Sequence, residues 1–184
     1  FTVEKGEFIG IIGRNKAGKS TLCLSLVGLI PFVLGGQWSG DLYVNEEKMT
    51  DETIGNITNT VGIVFQDAES QFSQETVEDE IAFAMCNLGI PKIEMQKRMK
   101  EVVASCNLLE LLDRSPYQLS GGQQQRLAVA CMLALRPQVI IFDETTSQLD
   151  PIGRDEVFRI AHEMHNEGYT IIMRSEEHTS ELQS

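Results

Sequence analysis

The apolar pentapeptide Phe8–Ile12 runs directly into Gly13-Arg14-Asn15-Lys16-Ala17-Gly18-Lys19-Ser20, and the apolar stretch Thr21–Ile30 follows up to Pro31. This feature restricts the fold more than any other in the chain. A strand that ends in Gly-x-x-x-x-Gly-Lys-Ser and reopens as a helix turns backbone amides and a helix N-terminus toward one point. Phosphate oxygens are stabilised there, because the N–H groups and the helix dipole both face the anion. The amides are expected to surround the α- and β-phosphates, Lys19 to reach the β- and γ-phosphates, and Ser20 to hold Mg²⁺. Gly13 to Ser20, with Thr21, form the first candidate site. Phe1–Val3 reads as another short strand, across the turn Glu4-Lys5-Gly6-Glu7.

Two further motifs follow in a fixed order. Leu119-Ser120-Gly121-Gly122-Gln123 precedes the apolar run Leu127–Leu135, so a serine and two glycines open onto a helix. Such an edge again suits phosphate. Val139–Phe142 is an unbroken apolar run of the kind found in a buried parallel strand, and it ends in Asp143-Glu144. Phosphate loop, Leu-Ser-Gly-Gly-Gln and apolar strand with Asp-Glu, in that order, resemble the ATP-binding-cassette (ABC) ATPases, over nearly everything from Phe1 to Met173. The resemblance implies an α/β P-loop NTPase core with a mixed sheet, plus an α-helical subdomain at about residues 70–118. It implies ATP and Mg²⁺ as cofactors, with Asp143 on the metal through water and Glu144 polarising the attacking water. Ser120, Gly121, Gly122 and Gln123 would act on the nucleotide of a second ATPase domain, identical or paralogous, arranged head to tail. Lys16 departs from the family, which almost always has Gly there. If the backbone at this point needs a positive φ, a lysine costs about 1–2 kcal/mol.

Val61–Phe65 reads as a strand ending in Gln66, which matches the family's Q-loop. In the family that residue ligates Mg²⁺ or its water and links the core to a helical lobe, and the resemblance implies the same role for Gln66. The segment Ala68-Glu69-Ser70-Gln71-Phe72 and then Glu75–Phe83 resembles one branch, the energy-coupling-factor ATPases of prokaryotic vitamin and metal importers. The branch implies a transmembrane transporter subunit as partner, and a peripheral position on the cytoplasmic face of a prokaryotic plasma membrane. Thr76 is placed to cap a helix with Asp79 in its first turn. Pro91–Leu112 supplies a second amphipathic helix, with Ile93, Met95, Met99, Val102 and Val103 at helical spacing, and a short third piece. Met85, Met95 and Met99 are either core or the lining of a groove for a partner helix. Thr145–Asp150 resembles the D-loop that touches the opposite subunit. Pro151 starts another helix, which Gly168 ends.

Composition narrows the alternatives. Fifteen Lys and Arg stand against 27 Asp and Glu, a net charge of −12. So acidic a surface repels phosphate backbones and argues against nucleic acid as a partner. That weighs against a ribosome-acting ABC factor. A chromosome-maintenance ATPase would need a long coiled coil between Ser20 and Leu119, where no heptad run occurs. A catalytically impaired nucleotide binder is the remaining alternative. Cys23, Cys86, Cys106 and Cys131 are widely spaced among apolar neighbours and are expected to be buried, reduced thiols. The chain starts at Phe1, without the adenine-stacking aromatic that precedes the first strand in the family. From Arg174 to Ser184 the sequence resembles the in-frame translation of a sequencing adapter. Residues 174–184 are therefore expected to be a non-native tail, and 1–173 the nucleotide-binding domain. The other reading makes His178 the family's γ-phosphate-contacting histidine, two positions late.

Overall fold

A computed structural model describes residues 1–175 apart from 15, 38, 52, 66 and 144–150. In chain order the elements are β1 (Phe8–Ile12), α1 (Lys19–Leu26), α2 (Leu29–Phe32), β2 (Tyr43–Val44), β3 (Glu47–Lys48) and α3 (Ile54–Thr58). There follow β4 (Val61–Val64), α4 (Val77–Asn87), α5 (Lys92–Ser105), α6 (Gly121–Ala134), β5 (Val139–Asp143), α7 (Pro151–Asn166) and β6 (Thr170–Ser175).

Period-two alternation sets the centre of the molecule. In β5 and β6, Ile140, Phe142, Ile171 and Met173 enter one buried cluster, while the intervening Ile141 and Ile172 enter another. A strand apolar on both faces must be covered on both, which is the condition of a parallel sheet. The main sheet has the order β1-β6-β5-β4, and all its described pairings are parallel. Among the described residues the main sheet is therefore parallel rather than mixed as expected, and antiparallel pairing occurs in a separate β2–β3 hairpin. One face carries Cys23 and Val27 with Ile57; the other carries the larger cluster built by α4, α5, α6 and α7. Each fully buried side chain of this kind stabilises the fold by about 1.5–3 kcal/mol.

The helical lobe expected between the strand-end glutamine and the signature consists of α4, α5 and single 3₁₀ turns, packed against α6. Thr76 caps α4 as the sequence predicts: its Oγ1 accepts from the Asp79 amide at 3.1 Å. Replacing Thr76 with alanine is expected to cost about 1 kcal/mol, read as a lower urea midpoint. Met85 is fully buried and Met95 and Met99 pack against the core, which favours core over groove for all three.

Several expectations need correction. Phe1–Val3 is not a strand; among the described residues nothing pairs with it, and Val3 only packs against the smaller cluster. The helix after the phosphate loop stops at Leu26, because the chain turns through Gly28 at φ 75° before the short α2. The polar stretch before β4 holds the β2–β3 hairpin turn and the short α3. Ile93 is 85% exposed, on the outer side of α5. Of the four thiols Cys23 and Cys106 are buried, but Cys131 is only half-buried and Cys86 is exposed. Burial pushes the Cys106 thiol up to about 12, which keeps it protonated. Arg174 and Ser175, expected to open a non-native tail, are the last two residues of β6.

Candidate nucleotide site

β1 and β5 are parallel and separated by β6, so the loop after Ile12 and the carboxylate of Asp143 both emerge at the C-terminal edge of the sheet. That edge is where ligands bind in open α/β sheets. The loop itself is held by its own lysine. Lys19 is 6% exposed, and its Nζ donates to the carbonyls of Gly13 at 2.7 Å and Arg14 at 3.0 Å. Gly18 precedes α1 at φ 91°, a left-handed conformation open to glycine at no steric cost, and no side chain caps the helix. A helix start of this kind, without a side-chain cap, suits an anion.

Lys16 has φ 64°, the left-handed backbone that its position predicts. Lys16→Gly is expected to relieve about 1 kcal/mol of backbone strain and to tighten nucleotide binding by roughly fivefold. Equal or weaker affinity in a titration would mean that the loop carries lysine without strain.

At the second motif the expected strand-free turn into a helix is present. Ser120 caps α6 in a reciprocal box: the Gln123 amide donates to Ser120 Oγ at 3.4 Å, and the Ser120 amide donates to Gln123 Oε1 at 2.9 Å. Both side chains therefore serve the cap, and the exposed Ser120 and Gly121 form its outer edge. Gly122 faces α7, where a Cβ would lie in ordinary contact, 3.5 Å from the Gly153 Cα. One turn on, Arg126 pairs with Glu156 of α7 at 2.6 Å.

Three groups in this region escape the motif-based reading. Gln125, 2% exposed, makes a long contact from Nε2 to the Phe65 carbonyl at 3.4 Å and so ties α6 to the end of β4. Glu80, 6% exposed, accepts from the amides of Ser73 and Gln74, each at 2.7 Å. Arg174 donates from a guanidinium nitrogen to Asp143 Oδ1 at 2.7 Å, both side chains being buried. For Glu80 the sequence signal was a charge next to the apolar Ile81-Ala82-Phe83, and for Arg174 a charge at the end of the apolar Ile171-Ile172-Met173.

The structure thus brings Gly13, Arg14, Lys16, Ala17, Gly18, Lys19, Ser20 and Thr21 into one loop and helix start, and Ser120 to Gln123 into another. Asn15, Gln66, Glu144, the D-loop residues 145–150 and the tail 176–184, His178 included, lie outside the described residues. Mg²⁺ was expected on Ser20, Gln66 and Asp143. As placed, Asp143 does not fit that ion, because its carboxylate already carries a buried guanidinium. A second cation on the same group would meet repulsion in a weakly screening interior. A cavity of about 500 Å³ lies elsewhere, at the N-terminal ends of the strands beside Val61, Val139 and Thr170, and contains no phosphate-loop residue.

Comparison with known proteins adds independent findings. A family profile described as ABC transporter matches residues 1–147. The energy-coupling factor transporter ATP-binding protein EcfA1 of Lactococcus lactis subsp. cremoris (strain MG1363) is 43% identical over 173 residues, covering 94% of this chain and 61% of that protein. EcfA1 of Bacillus licheniformis is 42% identical over 173 residues, with 94% and 60% covered. The chain therefore spans about three fifths of the length of these curated relatives. Among solved structures, CbiO1 from Clostridium perfringens, part of the ABC transporter complex cbiONQ, superposes with a TM-score of 0.86 at 31% identity. That superposition covers 96% of this chain and 70% of CbiO1.

Proposed function

Because the chain belongs to the ABC transporter ATP-binding family, we propose that it is the nucleotide-binding core of an ATPase subunit that powers an importer of the energy-coupling-factor type. The observation that carries this reading is the strand, lysine-pinned loop and uncapped helix of residues 8–26, standing beside the end of β5 at one edge of a parallel sheet. Lys19 and the loop amides take the phosphates of ATP. Ser120, Gly121 and Gly122 close over the nucleotide of a second ATPase domain in a head-to-tail dimer. The capping box supports this role, since it fixes the serine–glycine edge before any ligand arrives. Gln66 and Glu144 act at the γ-phosphate, the latter as the base toward water.

Movement on closing passes to a transmembrane subunit through the helical lobe. Exposed Phe83, Ile93 and Leu109 on that lobe offer apolar contact to such a partner. No described helix is long and apolar enough to cross a membrane, so this reading places the chain against the membrane partner rather than within the bilayer. The solute belongs to a vitamin or metal-ion class, and its recognition to the membrane subunits. Reconstitution of the full-length protein with a membrane partner tests the reading: the partner is expected to co-purify and to stimulate ATP hydrolysis. Stimulation by ribosomes or DNA instead would overturn it.

A second reading, for this polypeptide alone, is favoured by the Arg174–Asp143 pair. In that reading the chain binds nucleotide but is impaired in hydrolysis, because the carboxylate at the end of β5 is already held by Arg174.

A further inference from the structure

Arg174 occupies a particular place in the sheet. Its register partners are Asp143 in β5 on one side and Ile11 in β1 on the other, two residues before Gly13. Its guanidinium bonds the Asp143 carboxylate at 2.7 Å, with side-chain exposures of 7% and 10%. A fixed cation therefore stands between the strand feeding the phosphate loop and the carboxylate nearest to it in the sheet. The contact is one charge-assisted bond from Arg174 Nη1 to Asp143 Oδ1, and a buried pair of this kind is screened little by salt.

We propose that Arg174 takes the place of the divalent cation in this chain, so that the site binds nucleotide triphosphate in its metal-free form. The inference rests on the phosphate-loop reading given above. With Asp143 neutralised from within, a dication gains nothing from the carboxylate and is repelled by its partner. The phosphate loop keeps its own support, with Lys19 Nζ bonded to the carbonyls of Gly13 and Arg14.

Equilibrium binding of a fluorescent ATP analogue to the 184-residue chain, measured in EDTA and again in Mg²⁺, tests the proposal. The unaltered chain is expected to bind equally well in both media, within about twofold. Arg174→Met is expected to bind about tenfold more tightly in Mg²⁺ than in EDTA, the scale on which partners of metal ligands alter metal affinity. Arg174→Lys, which keeps a cation, is expected to remain insensitive. Mn²⁺ resonance provides a second readout, with nucleotide-dependent bound Mn²⁺ appearing only in Arg174→Met. If that variant does not fold, the unaltered chain and Arg174→Lys still decide the matter. A tenfold Mg²⁺ preference in the unaltered chain overturns this inference and leaves the phosphate-loop reading standing. Failure of every protein to bind nucleotide in either medium overturns the phosphate-loop reading, and the inference with it.

Discussion

Replacement of Arg174 by methionine is expected to lower the stability of the fold by about 3–5 kcal/mol, because it leaves the Asp143 carboxylate buried without a counter-charge. The two side chains are 7% and 10% exposed, so water offers Asp143 little compensation. The loss should appear as a lower urea midpoint with an unchanged slope. Adding Asp143→Asn in the same chain removes the stranded charge and is expected to recover most of it. This double-mutant comparison separates the pair from the rest of β6. Exposed pairs such as Arg159–Glu163, whose side chains are 42% and 45% exposed, behave differently: removing one is expected to change little. If Arg174→Met has no more effect than such a surface change, the buried pair does not form in solution.

In the full-length protein, Glu144→Gln is expected to slow ATP hydrolysis by about 10²–10⁴-fold while leaving ATP binding intact. This is the range over which a positioned general base contributes. Glutamine keeps the size of glutamate and much of its hydrogen bonding but cannot take a proton from water. The preceding residue, Asp143, ends a fully covered parallel strand, so the chain leaves the sheet at the edge shared with the phosphate loop. The ATP-bound dimer should then accumulate and be visible by size-exclusion chromatography. Unchanged turnover would remove Glu144 from its proposed role.

What could be read from the sequence and what could not divides along physical lines. The strand Val139–Phe142 was legible because both of its faces are apolar, and α4 because Thr76 and Asp79 state a local capping rule. The left-handed backbone at Lys16 was legible because the motif reserves that position for glycine. These are local signals. The Arg174–Asp143 pair was not legible, since it depends on the register between β5 and β6, which residues 31 apart do not announce. Arg174 stands beside a polar, acidic stretch in sequence, whereas its partner in space lies on the neighbouring strand. The same reason explains Cys86 and Ile93: an apolar environment along the chain does not establish one around it. The failure of Phe1–Val3 as a strand is likewise a matter of partners, since a β-propensity with nothing to pair remains a coil.

The anchoring of the segment behind β4 has a mechanical consequence. Glu80 grips the amides of Ser73 and Gln74, and the Tyr117 hydroxyl donates to the Phe72 carbonyl at 2.8 Å. The amides of Val77 and Glu78 reach across to the carbonyls of Arg114 and Leu112. The stretch leaving the strand-end glutamine and the stretch entering the serine–glycine edge are therefore stitched to one another at several points. A tilt of the lobe cannot displace one without dragging the other, so the two behave as a single yoke, and a tug on its outer arm is delivered to both ends at once.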